Sequence, residues 1–191
     1  MKKKTTLSLS VFWVALITLL VLSIPLIAMQ FSAGVQWSVA DFIVMGVLIF
    51  TTGFSYVLLT KSSHSIIHKA AVALAIVSTF LLVWVNLAVG LIGSGPNAAN
   101  LMYAGIVAIV IAGSFIAGFT SKGMQRLMTA VAITLALFVL IQLAFNMQNY
   151  PDSSVMEIIS VNGFFALLFG ISALLFRYTI QKQLTAGNNH A

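Results

Sequence analysis

The stretch LMYAGIVAIVIAGSFIAGFTSKGMQRLMTAVAITLALFVLIQLAFN, residues 101–146, decides the fold. It holds two apolar runs, residues 101–119 and 124–146, around a short connection that carries Lys122, and Arg126 follows at the start of the second run. An α-helix needs about 20 apolar residues to cross the hydrocarbon core of a bilayer. We therefore predict two transmembrane helices joined by a short basic turn.

The same pattern extends over the whole chain of 191 residues, of which 61% are hydrophobic and 6% are charged. Its mean hydropathy is +1.11, whereas soluble domains carry roughly a quarter charged residues. Strands of a transmembrane barrel would be about half as long, with alternating polarity. We predict an all-α polytopic membrane protein, a single domain over residues 1–191, with six transmembrane helices at residues 9–29, 41–60, 70–93, 101–119, 124–146 and 157–178.

The Lys and Arg residues fall at every second boundary between these segments. The intervening connections, residues 30–40, 94–100 and 147–156, contain neither residue type, whereas Asp41, Asp152 and Glu157 all fall on that side. By the positive-inside rule both termini are predicted to be cytoplasmic. Lys2, Lys3 and Lys4 before the first apolar run would also suit a signal peptide, but the run is longer than a usual signal core, so we favour a first helix.

Three predicted helices that enter from the outer side begin with a similar motif. Ser38-Val-Ala-Asp41 and Ser154-Val-Met-Glu157 match the capping box, in which a hydroxyl and a carboxylate three residues apart satisfy free backbone amides. Asn97-Ala-Ala-Asn100 would do the same without charge. These starts also suggest that residues 38–96 and 97–155 are a duplicated hairpin, although apolar sequences match easily by chance.

Composition excludes several kinds of chemistry. The chain has no cysteine, which excludes disulfides, thiolate metal sites, iron–sulfur clusters and thiol nucleophiles. No predicted span contains a histidine for haem ligation or for activating a serine, and none contains paired carboxylates for a proton relay. We therefore expect neither an enzyme nor a resident metal or cofactor, and the scattered cations do not form the continuous basic face that nucleic acid requires.

His64 and His68 could present two imidazoles on one helical face, as metal ligands do. They lie in a basic turn between Lys61 and Lys69, with no carboxylate nearby as a third ligand. The sequence therefore favours a solvated turn over a metal site. His190 lies in a polar tail and indicates little.

A layer of uncharged polar side chains in the outer half of the predicted bundle is the candidate site. Such groups are costly against lipid and should face the interior. They either line a ligand pocket or bond across helices as structural contacts. Asn86 is the strongest candidate, and we expect it to contact Gln142 near the bundle axis. The candidate ligand-binding residues are Trp84, Asn86, Tyr103, Gln142, Asn146 and Asn162, with Asp41 and Glu157 at the rim.

Two predicted helices carry faces of small residues that allow close approach of another helix backbone. One face comprises Ala104, Gly105, Ala108, Ala112 and Gly113, and the other Gly163, Ala166, Gly170 and Ala173. These faces either pack the monomer or join the chain to another protein.

The stretch FLLVWVNLAVGLIGSGPNAANLMY, residues 80–103, and the block WSVADF, residues 37–42, resemble a family of small bacterial multi-pass inner-membrane proteins with no assigned activity. The resemblance implies a bacterial origin and a membrane location, and it transfers no catalytic residue. Gly95-Pro96 stands where the resemblance would place an acidic residue, which argues against a cation site in this loop.

Two functions follow as hypotheses. The first is transport or small-ligand binding through an outward-opening layer at Asn86, Gln142 and Asn162. The second is an accessory or structural subunit whose partners, besides the lipid bilayer, are another membrane protein or a second copy of the chain. Burial discriminates between them, because a transporter needs a solvated cavity at the polar layer, whereas an accessory subunit needs a filled core and an exposed small-residue face.

Overall fold

The computed structural model describes residues 7–32, 34–63, 65–93 and 97–188. The residues Lys2, Lys3, Lys4, His64, Gly95, Pro96 and His190, considered above, lie outside these ranges. The described part of the chain contains six helices that are long and apolar enough to cross a membrane. This confirms the predicted all-α fold. The helices are α1 (Leu7–Phe31), α2 (Val39–Thr60), α3 (Ile66–Ala88), α4 (Leu101–Ile116), α5 (Ser121–Ala144) and α6 (Val155–Asn188).

Glycines end two helices earlier than the apolar pattern predicts. The third helix stops at Ala88 rather than residue 93, because Gly90 follows with a left-handed φ of 77°. The fourth helix stops at Ile116 rather than residue 119, and Gly118 follows with φ 56°. Glycine adopts this conformation without steric cost and commonly stands just after a helix. An apolar run continues past such a residue, but the helix does not.

The chain divides into two compact units, residues 1–61 and 62–191. In the first unit α1 packs against α2, and Gly53 of α2 gives room for Val14 of α1. A Cβ atom at Gly53 would lie 2.9 Å from Val14 Cγ1. The buried Thr18 satisfies its hydroxyl within its own helix, donating to the Val14 carbonyl oxygen at 2.9 Å.

The capping box predicted at the start of α2 is confirmed. The Asp41 amide donates to Ser38 Oγ at 3.2 Å, while the Ser38 amide donates to Asp41 Oδ2 at 2.7 Å. The Ser38 hydroxyl donates to the same carboxylate oxygen at 2.8 Å. At the start of α6, Ser154 Oγ accepts from the Glu157 amide at 3.1 Å. Both acidic residues therefore lie in the first turn of a helix, where the helix dipole favours a negative charge.

The second unit is a ring of four helices in which α3 packs against α4 and α6, and α5 packs against the same two helices. Leu82, Ile106, Leu135 and Phe169 are fully buried between them. One hydrogen bond joins α6 directly to the backbone of α3, since Ser172 Oγ donates to the Ala71 carbonyl oxygen at 2.9 Å. The small Ala71, which has no exposed surface, permits this close approach.

The two ends of this four-helix unit differ in charge. Lys69 near the start of α3, two cations near the start of α5 and two near the end of α6 share one end, which we call the basic end. Asp152 and Glu157 lie at the opposite end, where α6 begins. The cations of the basic end are Lys69, Lys122, Arg126, Arg177 and Lys182.

A substitution pair tests the packing of the turn between α4 and α5. A Cβ atom at Gly123 would lie 2.6 Å from the backbone oxygen of Ala117, whereas one at Gly105 would meet no atom within 4 Å. Gly123→Ala should therefore lower the free energy of unfolding by about 1–3 kcal/mol. Gly105→Ala, the matched control, should leave it unchanged or raise it by about 0.5–1 kcal/mol. The unfolding free energies can be measured by circular dichroism in detergent. An equal change in the two variants would contradict the close packing at Gly123.

Candidate functional site

Three residues of the predicted polar layer meet in the interior of the second unit. The Tyr103 hydroxyl donates to Asn162 Oδ1 at 3.2 Å and accepts from Gln142 Nε2 at 3.1 Å. Asn162 Nδ2 in turn donates to Gln142 Oε1 at 3.2 Å. The three side chains thus form a closed ring of hydrogen bonds, which we call the polar ring. None of them is more than 1% exposed.

Each member of the polar ring comes from a different helix. Tyr103 lies in the first turn of α4, Gln142 in the last turn of α5 and Asn162 in the second turn of α6. All three helices begin or end at the acidic end of the unit, so the side chains lie at a similar depth. Asn162 is also tied to its own helix, since its Nδ2 donates to the Ile158 carbonyl oxygen at 2.8 Å. Phe138 packs edge-on against the Tyr103 ring, with centroids 5.9 Å apart.

The polar ring uses its own hydrogen-bonding groups. Both side-chain oxygens of the two amides accept a bond, and the hydroxyl both donates and accepts. Polar groups away from water need such partners, because a buried donor or acceptor left unpaired costs about 1–3 kcal/mol. The arrangement therefore acts as an interhelical bond between α4, α5 and α6, and presents no free oxygen to a ligand.

The expected contact between Asn86 and Gln142 is not formed. Asn86 Nδ2 donates instead to the Asn100 carbonyl oxygen at 3.3 Å, and both ends of the Gln142 amide are used within the polar ring. The reason is the early end of α3. It places Asn86 in the last turn of the helix, beside the connection to α4. Asn86 Oδ1 is buried without a hydrogen-bond partner among the described residues.

The other candidate residues lie outside the polar ring. Asn146 is exposed and follows the end of α5 in a left-handed conformation, with φ 54°. Trp84 is 40% exposed and stacks on Phe80, with ring centroids 6.0 Å apart. Glu157 lies in the first turn of α6, and Asp41 belongs to the capping box of the first unit. Among the eight candidates, the structure brings together Tyr103, Gln142 and Asn162.

Asn100 organises the connection between α3 and α4, a role that the sequence did not predict. Its Oδ1 accepts from the Leu91 amide at 2.9 Å and from the Ile92 amide at 2.8 Å. Leu91 and Ile92 are buried, so this connection packs into the unit rather than extending away from it. Asn97 does cap a helical turn, accepting from the Ala99 amide at 3.0 Å, but Asn100 makes no side-chain cap bond to α4.

The same connection is tied to the one between α5 and α6. The Gly93 amide donates to Ser153 Oγ at 2.9 Å. Gly93 has a left-handed φ of 66°, and a Cβ there would lie 3.3 Å from Asn97 Nδ2 and 3.4 Å from Tyr150 Cβ. Glycine is required here for both conformation and space. The two connections at the acidic end of the unit therefore hold each other in place.

At the basic end, His68 joins three helices. Its Nδ1 lies 3.1 Å from Ser121 Oγ at the start of α5, and its ring packs edge-on against Phe176 of α6, with centroids 5.6 Å apart. A histidine beside a serine is the geometry of a base and a nucleophile. Both acidic residues of this unit lie at the opposite end, so no acidic side chain among its described residues orients the imidazole. The described residues also contain no group of three potential metal ligands among His, Cys, Asp and Glu.

Tyr103→Phe tests the polar ring. Removal of one hydroxyl leaves Gln142 Nε2 and Asn162 Oδ1 without that partner, so the variant should lose about 1–2 kcal/mol of unfolding free energy. Tyr178→Phe is the matched control, because Tyr178 is 55% exposed on α6. Unfolding titrations in mixed micelles would measure both variants. An equal effect at the two positions would contradict a bonded ring.

Asn100→Ala tests how the connection between α3 and α4 is held. The amides of Leu91 and Ile92 lose their acceptor in this variant, so their hydrogen exchange should become faster by at least about tenfold. Asn97→Ala is the control, because it removes a donor to the Ile92 carbonyl oxygen but leaves the acceptor of the Leu91 and Ile92 amides in place. Hydrogen exchange of the peptide that covers residues 87–93, measured by mass spectrometry, distinguishes the two variants. Unchanged protection in Asn100→Ala would show that burial alone orders these residues.

No protein-family model, curated protein or solved structure matches this chain. The resemblance to small bacterial inner-membrane proteins, drawn from residues 37–42 and 80–103, therefore stays a prediction.

Proposed function

We propose that this protein is an accessory, structural subunit of a membrane protein assembly, and that it holds a transmembrane helix of another membrane protein against α4. The membrane in this proposal is a bacterial inner membrane, with both termini in the cytoplasm. That orientation rests on the positive-inside rule and on the basic end of the second unit. We assign the chain no catalytic step of its own.

The α4 face carries the proposal. It consists of Ala104, Gly105, Ala108 and Ala112, all exposed. A Cβ at Gly105 would meet nothing within 4 Å. The opposite side of the helix is buried through Tyr103, Ile106 and Val110. In a bilayer, small residues gain nothing from lipid contact, whereas they let a second backbone approach closely and so increase van der Waals packing.

The polar ring supports this role over transport. A transport site at Gln142 and Asn162 would need polar atoms that face a cavity, but these two side chains bond to each other and to Tyr103 and are fully buried. A filled polar core beneath an exposed small-residue face is the combination expected of an accessory subunit. Asn86, the third residue of the transport hypothesis, bonds to the backbone of Asn100 instead.

Crosslinking from a single introduced cysteine tests the proposal. The chain contains no cysteine of its own, so the reagent attaches to the introduced residue alone. A single cysteine replacing Ala108, labelled in native membranes with a short reagent that joins a thiol-reactive maleimide to a photoreactive benzophenone, should give an adduct with a different protein on illumination. Gly105→Leu in the same chain should abolish that adduct, because the added side chain projects into the space that the partner helix needs. A cysteine replacing Leu140, 64% exposed on α5, is the control position.

Three results would overturn the proposal. The first is an adduct that forms equally from the Leu140 position, since this indicates random collision. The second is an adduct whose mass equals two copies of the chain, which makes the α4 face a homodimer contact. The third is an adduct that survives Gly105→Leu. Gly105→Leu should leave the unfolding free energy of the purified chain unchanged or raise it by about 0.5–1 kcal/mol, as expected when an exposed helical glycine is replaced.

A further inference from the structure

An apolar groove of about 430 Å³ lies between α5 and α6 on the surface of the second unit. Ala132, Ala136, Ala166 and Gly170 are small residues of its lining, and a Cβ at Gly170 would meet nothing within 4 Å. Thr129 also lines the groove, but its hydroxyl donates to the carbonyl oxygen of Gln125 in its own helix at 2.8 Å. The groove therefore offers an apolar surface without a free hydroxyl.

Branched side chains border this lining of small residues. Ile133 is 56% exposed on α5, while Leu167 and Leu174 are 67% and 62% exposed on α6. A strip of small residues flanked by exposed branched ones makes an elongated channel along the two helices. A hydrocarbon chain fits such a channel, because contact on three sides gives it more van der Waals packing than the flat surface of a helix would.

The register of α5 and α6 places two arginines at one end of the groove. The lining follows α5 through Thr129 and Ile133, and it follows the antiparallel α6 through Leu174 and Gly170. Residues three or four apart share a helix face. Arg126 stands three residues before Thr129, and Arg177 stands three residues after Leu174. Both arginines therefore continue the groove toward the basic end.

Neither arginine has an anionic partner within the described residues. Arg126 and Arg177 are exposed, and neither makes a hydrogen bond or an ion pair there. The carboxylate of Glu157 belongs to the first turn of α6, roughly 30 Å along the helix from Arg177 at 1.5 Å per residue. Two cations at one end of an apolar groove repel each other unless an anion lies between them. Phosphate oxygens suit the planar guanidinium group, which can bind them with two parallel hydrogen bonds.

We propose that the groove between α5 and α6 is a binding site for one anionic phospholipid. An acyl chain lies along Ala132, Ala136 and Gly170, and the headgroup phosphate binds between Arg126 and Arg177. The site selects a lipid with net negative charge, because the cationic group of a zwitterionic headgroup would be repelled by the two guanidinium groups beside its phosphate. This site is separate from the α4 face, so it holds whether or not α4 binds a partner helix.

Native mass spectrometry of the purified full-length protein tests the site. The protein is released from micelles that contain phosphatidylglycerol and phosphatidylcholine in equal amounts. The parent should retain one phosphatidylglycerol in preference to phosphatidylcholine. Arg126→Gln and Arg177→Gln should each weaken that retention roughly fivefold, in line with the contribution of one basic residue at an anionic membrane surface. Lys182→Gln is the matched control, because it removes one charge from the same end but lies off the groove face of α6.

A second variant tests whether the acyl chain of the lipid lies in the groove, in addition to the contact of its phosphate with the arginines. Gly170→Leu adds a side chain in the open space of the groove and leaves both arginines in place, so it should remove the bound phosphatidylglycerol while the unfolding free energy stays unchanged. Retention of the lipid in Gly170→Leu would overturn the proposal, since the acyl chain would then lie elsewhere. Equal retention of the two lipids by the parent, or an equal loss in Lys182→Gln, would overturn it as well.

Discussion

Polar side chains inside a membrane bundle have to satisfy one another, because lipid offers neither donors nor acceptors. The polar ring of Tyr103, Gln142 and Asn162 is the constraint on which the second unit depends. A shift of any of its three helices by one residue turns that helix by about 100° and removes a side chain from the ring. The ring therefore determines the rotation of α4, α5 and α6 together.

The outward surface follows from that rotation. With Tyr103 directed inward, the next residues of α4 that share the opposite face are Gly105, Ala108 and Ala112, and these remain exposed. The buried ring and the exposed small-residue face are thus two consequences of one helix orientation. This link is why a filled polar core supports a role in binding another helix: the same contact that closes the core presents the backbone of α4.

Both ends of the second unit are also held by side chains. At the acidic end Asn100 holds Leu91 and Ile92, and Gly93 joins the neighbouring connection through Ser153. At the basic end His68 contacts α5 and α6. A unit whose helices are fastened by side chains toward both ends suits a supporting role. The arginines at the groove of α5 and α6 lie on a different part of its surface, so the proposed lipid and the proposed partner helix need not compete.

The sequence by itself determined the six spanning helices, the capping box at Ser38 and Asp41, and the inward direction of Tyr103, Gln142 and Asn162. These features depend on hydrophobicity and on spacings of three or four residues, which act within one helix. Only the tertiary structure decided that Gln142 bonds to Tyr103 and Asn162 rather than to Asn86. Helix periodicity states which face a side chain occupies, but the partner depends on which helices are neighbours and at what depth each one ends. For Asn86 that depth was set by the left-handed Gly90, which ends α3 within a continuing apolar run.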